Sequence, residues 1–140
     1  MKILIPVDGS DSALHAVKHA IQMASELKTS PQLLLLNVQW NVAVGNIKLF
    51  INQDTLNDYY REQGMLALEK ARALLDEANL PYQYHISIGR PAEAIVQYAQ
   101  EQAVQQIVMG AQGHESLATM LLGSVVSKVA QLATMPVVVT

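Results

Sequence analysis

The chain contains no cysteine. Disulfides, thiol catalysis and cysteine-based metal sites are therefore excluded, although the compartment is not fixed by this alone. Charge is also sparse: charged residues make up 15% of the 140, and the formal net charge is −3. Lys and Arg are scattered rather than gathered into a basic stripe, so nucleic acid is a poor partner. No run approaches the roughly 18 consecutive apolar residues of a membrane span. The opening stretch Ile3-Leu4-Ile5-Pro6-Val7 is cut short by Asp8 and is too brief for the apolar region of a signal peptide. A cytoplasmic protein without a membrane partner is expected. With no internal repeat, low-complexity tract or linker, residues 1–140 are expected to form one domain.

Several catalytic signatures are missing as well. There is no Walker A lysine motif and no Gly-x-Gly-x-x-Gly after the first apolar run. There is no Gly-x-Ser-x-Gly nucleophile elbow. Response-regulator chemistry needs an acidic residue at the end of the third strand and a Lys at the end of the fifth; Ile88-Gly89 and Val139-Thr140 stand there instead. No acid–base pair with a positioned nucleophile emerges, so dedicated catalysis is not indicated.

What the chain does have is apolar character, 51% of its residues, as a parallel sheet buried on both faces requires. Five short β-branched or Leu-rich runs stand out: Ile3–Val7, Leu33–Trp40, Tyr82–Ile88, Gln106–Met109 and Val137–Thr140. Helical spacing fills the intervals. Ala13, Val17, Ala20, Ile21, Ala24 and Leu27 share one face. Leu56, Tyr60, Leu68, Leu75 and Ala78 outline a second, longer helix. Ile95, Val96, Ala99 and Ala103 mark a third, and Leu121, Leu122, Val125, Val129 and Leu132 a fourth. Strand and helix alternate throughout, which predicts an α/β fold: an open parallel sheet with right-handed crossovers and helices on both faces.

Local chemistry sets the boundaries. Ser10 or Asp11 can cap the first helix by accepting from free first-turn amides. Pro31 and Pro81 stand just before strands, where a helix cannot continue. Pro91 suits a first helical turn, and Pro136 opens the last strand. Asn41–Asp54 is the least regular segment and reads as a mobile loop.

In such a sheet, ligands bind beyond the carboxyl ends of the strands where the strand order reverses. The residues at those ends are Asp8-Gly9-Ser10, Gln39-Trp40, Gly89-Arg90-Pro91 and Gly110-Ala111-Gln112-Gly113-His114, the last running on to Gly123-Ser124. The fourth of these loops is the richest. Glycine lets backbone approach a ligand closely, and Ser124 stands near a helix start whose amides and dipole favour an anion such as phosphate. From these properties alone two readings stay open: a phosphate loop, or glycines that make a turn and ease helix packing.

The spacing Gly110-x2-Gly113-x9-Gly123-Ser124, after a strand and before a helix, resembles the nucleotide-binding signature of universal stress proteins. Ile3-Leu4-Ile5-Pro6-Val7-Asp8-Gly9-Ser10 is similar to that family's opening strand and loop. Gly89-Arg90-Pro91-Ala92-Glu93-Ala94-Ile95 is similar to its third-strand-to-helix turn, and Met135-Pro136-Val137-Val138-Val139 to its last strand. The similarity covers essentially the whole chain. It implies a Rossmann-like sheet ordered 3-2-1-4-5, like that of the adenine nucleotide alpha hydrolases, and a stress-response role. It implies ATP, or ADP or AMP, as ligand. In that strand order Val137–Thr140, with three consecutive valines, lies at the sheet edge, and a homodimer through the C-terminal strand is expected. Val7 and Asp8 would line adenine and ribose, and Val38 would contact adenine. Gly110 and Gly113 would shape the loop, and Gly123, Ser124 and Val125 would offer backbone amides to the phosphates. Mg²⁺ can bridge the phosphates, although no dedicated carboxylate cluster is visible. Slow ATP hydrolysis remains compatible with such a site.

Two positions depart from the family pattern. Gln112 stands where His or Arg is frequent, and His114 where Lys or Arg is common, with Glu115 adding a negative charge beside it. A neutral His114 contributes only a hydrogen bond, so either affinity is weaker than in relatives with the same motif or AMP-like ligands compete well with a triphosphate. Elsewhere, His15 and His19 have a metal-like spacing of four but no visible third ligand, and read as a solvated face. His85 reads as structural. Arg90 reads as a helix-terminal ion pair rather than a phosphate contact. Trp40, Tyr59 and Tyr60 read as core aromatics, and Met120 and Met135 as packing residues. The competing functions are a scaffold of the same fold that binds no nucleotide, and a flavodoxin-like or hydrolase enzyme on a similar sheet.

Overall fold

The apolar runs pair as parallel strands and the amphipathic stretches between them coil as helices. The computed structural model describes residues 1–40, 52–111 and 123–140. Among these the elements are β1 (Lys2–Pro6), α1 (Asp11–Glu26), β2 (Gln32–Gln39), α2 (Gln53–Glu77), β3 (Tyr82–Ile88), α3 (Pro91–Glu101), β4 (Gln106–Met109), α4 (Ser124–Leu132) and β5 (Val137–Val139). They form a five-stranded sheet ordered β3-β2-β1-β4-β5. All neighbours are parallel, with Ile3 opposite Leu33 on one side of β1 and opposite Gln106 on the other. The expected α/β architecture and strand order are thus observed.

Successive side chains of a strand point to opposite faces, and the core divides accordingly. Ile3, Ile5, Leu33, Leu35 and Val108 pack beneath α1 and α2, against Ala13, Ala16, Val17, Ala20, Leu68, Ala71 and Leu75. Leu4, Leu34, Leu36, Ile107 and Met109 pack on the other face, against Ala92, Ile95, Val96 and Ala99 of α3 and Val126 and Val129 of α4. The exception is β3, whose outer position leaves Tyr84, His85 and Ile88 exposed.

The helix ends explain themselves locally. Ser10, not Asp11, caps α1, its hydroxyl accepting from the Ala13 amide at 3.2 Å. Asp11 instead supplies the negative charge that the first turn favours. Asn52 caps α2 by accepting from Thr55 at 2.8 Å, so the helix starts inside the span expected as loop; residues 41–51 lie outside the described residues. Pro91 opens α3 as expected. Three expected helical positions fall beyond the helices. Leu27 and Ala78 are C-caps, and Ala103 takes a left-handed φ of 53° while its amide bonds to Gln100. Leu132, at the end of α4, is exposed. Leu121 and Leu122 lie outside the described residues.

One unexpected packing residue is Gly64, buried in the middle of α2. A glycine there costs roughly 1 kcal/mol in helix propensity relative to Ala. The reason is contact: a Cβ at that position would lie 2.6–2.8 Å from Ile86 of β3. The glycine lets the long helix settle directly onto the sheet.

Candidate functional site

The β1 end sets the site. Beyond Pro6, the amide of Val7 still bonds to the Leu36 carbonyl at 2.8 Å, and the chain then turns sharply. Gly9 adopts φ 89°, a conformation that side chains other than glycine's disfavour. One Asp8 carboxylate oxygen accepts the Ser10 amide at 2.9 Å, closing the turn that leads into α1.

A buried amide holds this end in place. Asn37 is 3% exposed, within the Leu-rich β2. Its Nδ2 donates to the Val7 carbonyl at 2.8 Å, and its Oδ1 accepts from Gln39 Nε2 at 2.7 Å. Both halves of the amide are therefore satisfied. The apolar character of β2 masks Asn37, whose only sequence signal is a lone amide following four leucines.

Between the carboxyl ends of β1, β2 and β4 lies a cavity of about 380 Å³. Pro6 at the end of β1 and Val7 and Asp8 just beyond it line the cavity, with Val38 of β2 and Trp40 just after it, and Met109 of β4 and Gly110 just after it. Pro91 and Ile95 of α3 and Val125 and Val126 of α4 complete the wall, with Ser10 and Ala13 at the start of α1. Most of this lining is apolar, and Asp8 is its only ionisable side chain among the described residues. Such a hollow, with few polar groups set in apolar walls, suits a small organic ligand.

The candidate residues named from the sequence divide as follows. Val7, Asp8, Val38, Gly110 and Val125 line the cavity together. Gly123 is the N-cap of α4 and Ser124 its first residue. Gly113 and His114 lie outside the described residues, as do Gln112, Glu115 and Met120. The Gly110 backbone is packed against α1: a Cβ there would collide with the carbonyl oxygen and hydroxyl of Ser12. The Gly123 amide donates to Ala111 at 2.8 Å, tying the two ends of the loop together. Gly123 has φ −63°, which any residue can adopt, so its backbone conformation does not demand glycine. It supplies no side-chain cap, and the amides of Val125 and Val126 have no acceptor within the helix.

Other candidates fall elsewhere. Tyr60 is core, at 3% exposed, but Tyr59 is exposed, and Trp40 stands 56% exposed at the cavity rather than in the core. The core assignment fails for Trp40 because it is one residue past the strand, at the open end of the sheet. His15 is exposed and His19 half-buried on α1. His85 stacks on Tyr98, ring centroids 5.0 Å apart, and burial pushes the Tyr98 phenol pKa up, with Glu101 adding to the rise. Arg90 is the N-cap of α3 and makes no side-chain cap bond. Met135 packs against the α3–α4 face of the core, as expected.

A doubly wound sheet with a cleft at its switch point defines an α/β class that serves many unrelated activities. The sequence family is narrower. The model of the universal stress protein family matches residues 1–140. A universal stress protein of Methanocaldococcus jannaschii is 34% identical over 144 residues, spanning 99% of this chain and 80% of that protein. The solved structure of universal stress protein UspA from Lactobacillus plantarum has a TM-score of 0.82 at 27% identity, covering 99% of this chain and 96% of that one. A universal stress protein crystallised in complex with cAMP has a TM-score of 0.71 at 25% identity, covering 100% of this chain and 96% of that one. This chain belongs to the universal stress protein family.

Replacing Asn37 with Ala leaves the Val7 carbonyl without its partner in a buried place. Chemical denaturation should show a loss of about 1–3 kcal/mol. Asn37→Asp should cost more, because an ionised carboxylate has no N–H to donate and carries charge inside. Unchanged stability in both variants would mean that the amide does not hold the β1 end.

Proposed function

We propose that this protein binds an adenine nucleotide, ATP or a close relative, in the cavity at the switch point. The single observation that carries the reading is the convergence there of Val7, Asp8, Val38, Gly110 and Val125, drawn from four separate stretches of chain. The base lies against Val7 and Val38, the ribose beside Asp8, and the phosphates on Gly113 and the start of α4 at Gly123–Val125. Glycine at the N-cap fits this arrangement, since it leaves the first-turn amides to an outside acceptor and lets an anion approach. The family relative crystallised with cAMP supports an adenine ligand.

The phosphate end is poor in cations. Between Gly110 and Ser124 the sequence holds no Lys or Arg, only His114 and Glu115. AMP therefore competes effectively with ATP here, and a Mg²⁺ ion, where present, is carried by the phosphates. We assign the chain no dedicated catalysis; it acts as a regulatory or protective stress-response module in the cytoplasm. A scaffold role without nucleotide has one observation in its favour, the packing of Gly110 on Ser12, which accounts for that glycine without a ligand.

The module is a homodimer. β5 pairs with β4 on one side and stands at the sheet edge, where unpaired backbone groups and three consecutive valines invite a second copy. Sedimentation at micromolar concentration should give the dimer mass; a monomer alone would refute the edge pairing.

Gly123→Val places a side chain where backbone must approach phosphate. Calorimetry should show binding weakened by at least about tenfold, or roughly 1.4 kcal/mol, with circular dichroism unchanged. No heat for the natural sequence with ATP, ADP or AMP at millimolar ligand would end the nucleotide reading and leave the scaffold. Equal binding by a folded Gly123→Val would retain the nucleotide but refute this placement of its phosphates.

A further inference from the structure

Trp40 is the only tryptophan of the chain, and it follows directly on β2 at the carboxyl edge of the sheet. Its side chain is 56% exposed yet lines the cavity. Leaving so large an apolar ring in water forgoes favourable burial. Its position within the cavity is specific. Val38, Pro91 and Ile95 share the lining with it, while Gly110 and the start of α4 contribute to the same cavity from β4 and beyond. In the sheet order, β1 separates β2 from β4. A ligand whose phosphates lie at α4 and whose sugar meets Asp8 on the β1 loop therefore presents its far end, the base, to the β2 side.

We infer that Trp40 stacks on the purine ring and is a base-binding residue of the site. This rests on the nucleotide reading given above and adds to it a named surface for the base. Flat π-faces attract one another through dispersion and the exclusion of water, and an aromatic side chain serves any nucleobase, the larger purines best. Neither Val7 nor Val38 offers such a plane. With the base held by the apolar wall and the indole, loss of the base costs more affinity than a change in the phosphate chain. Nucleoside mono- and triphosphates then depend on Trp40 to the same degree.

The test uses the whole chain and its intrinsic fluorescence, which reports Trp40 alone among tryptophans. AMP should quench the indole emission in a saturable way, at a midpoint matching the calorimetric Kd. Ribose 5-phosphate, which lacks a base, should leave the emission unchanged. Trp40→Ala should weaken both AMP and ATP by about tenfold, equivalent to about 1.4 kcal/mol. Trp40→Phe should recover most of the loss, and circular dichroism should be unaltered because the residue is exposed. Heat of AMP binding with unchanged emission and unchanged affinity in Trp40→Ala would overturn the stacking while leaving the nucleotide reading intact. Equal losses in Trp40→Ala and Trp40→Phe would also overturn it, since a planar ring would then count for nothing. No heat for AMP or ATP with the natural sequence would overturn both.

Discussion

The hydrogen-bonded ladders on the two edges of β1 fix the position of every other part of the site. β1 pairs with β2 over Lys2–Pro6 and with β4 through Ile3 and Leu4. Parallel strands require right-handed crossovers, so a chain that moves one way across the sheet lays its helices on one face, and a reversal of direction lays them on the other. Here α1 and α2 cover one face, and α3 and α4 cover the opposite one. The connections leaving β1 and β4 must therefore diverge. Between them opens a hollow that no side chain of the core fills. Asn37 then secures the point of divergence, because its amide binds the last carbonyl of the β1 end to the neighbouring strand.

From that geometry comes the division of labour along the cavity. The β2 side is apolar and carries the indole. The β1 loop contributes Asp8, whose carboxylate already shapes the turn through Ser10. The β4 side leads to a helix start with glycine as its cap. The proposed nucleotide, with an aromatic end, a polar middle and an anionic end, fits these three regions in that order. Membership of the universal stress protein family and an adenine nucleotide as ligand are consistent with this order, but the order itself follows from the strand arrangement.

Much of the fold was legible because its signals are local and redundant. The limits of β3 and β4 are visible in the sequence, since Pro81 and Gly89 bracket one and Gly110 stops the other. The face of α1 is evident in Val17, Ala20 and Ala24, whereas buried Ala16 gives no signal because alanine is equally at home on either side of a helix. Tertiary facts were harder. Leu27 and Leu132 are apolar but stand at helix ends, where no neighbouring layer covers them. Gly64 looks like a weakness of α2 until Ile86 is seen beneath it. Trp40 reads as core by hydrophobicity, and only its place one residue beyond β2 turns it towards the cavity. The glycines of the loop illustrate the limit best: Gly110 is required by Ser12 of α1, a contact that sequence spacing cannot reveal, whereas Gly123 is not required by its own backbone conformation.

Native mass spectrometry of the purified protein detects a bound nucleotide whatever residues hold it. An adduct with the mass of an adenine nucleotide is expected, either retained through purification or formed on adding AMP or ATP, at one ligand per chain. A protein that stays folded and carries no such adduct at millimolar nucleotide would contradict nucleotide binding.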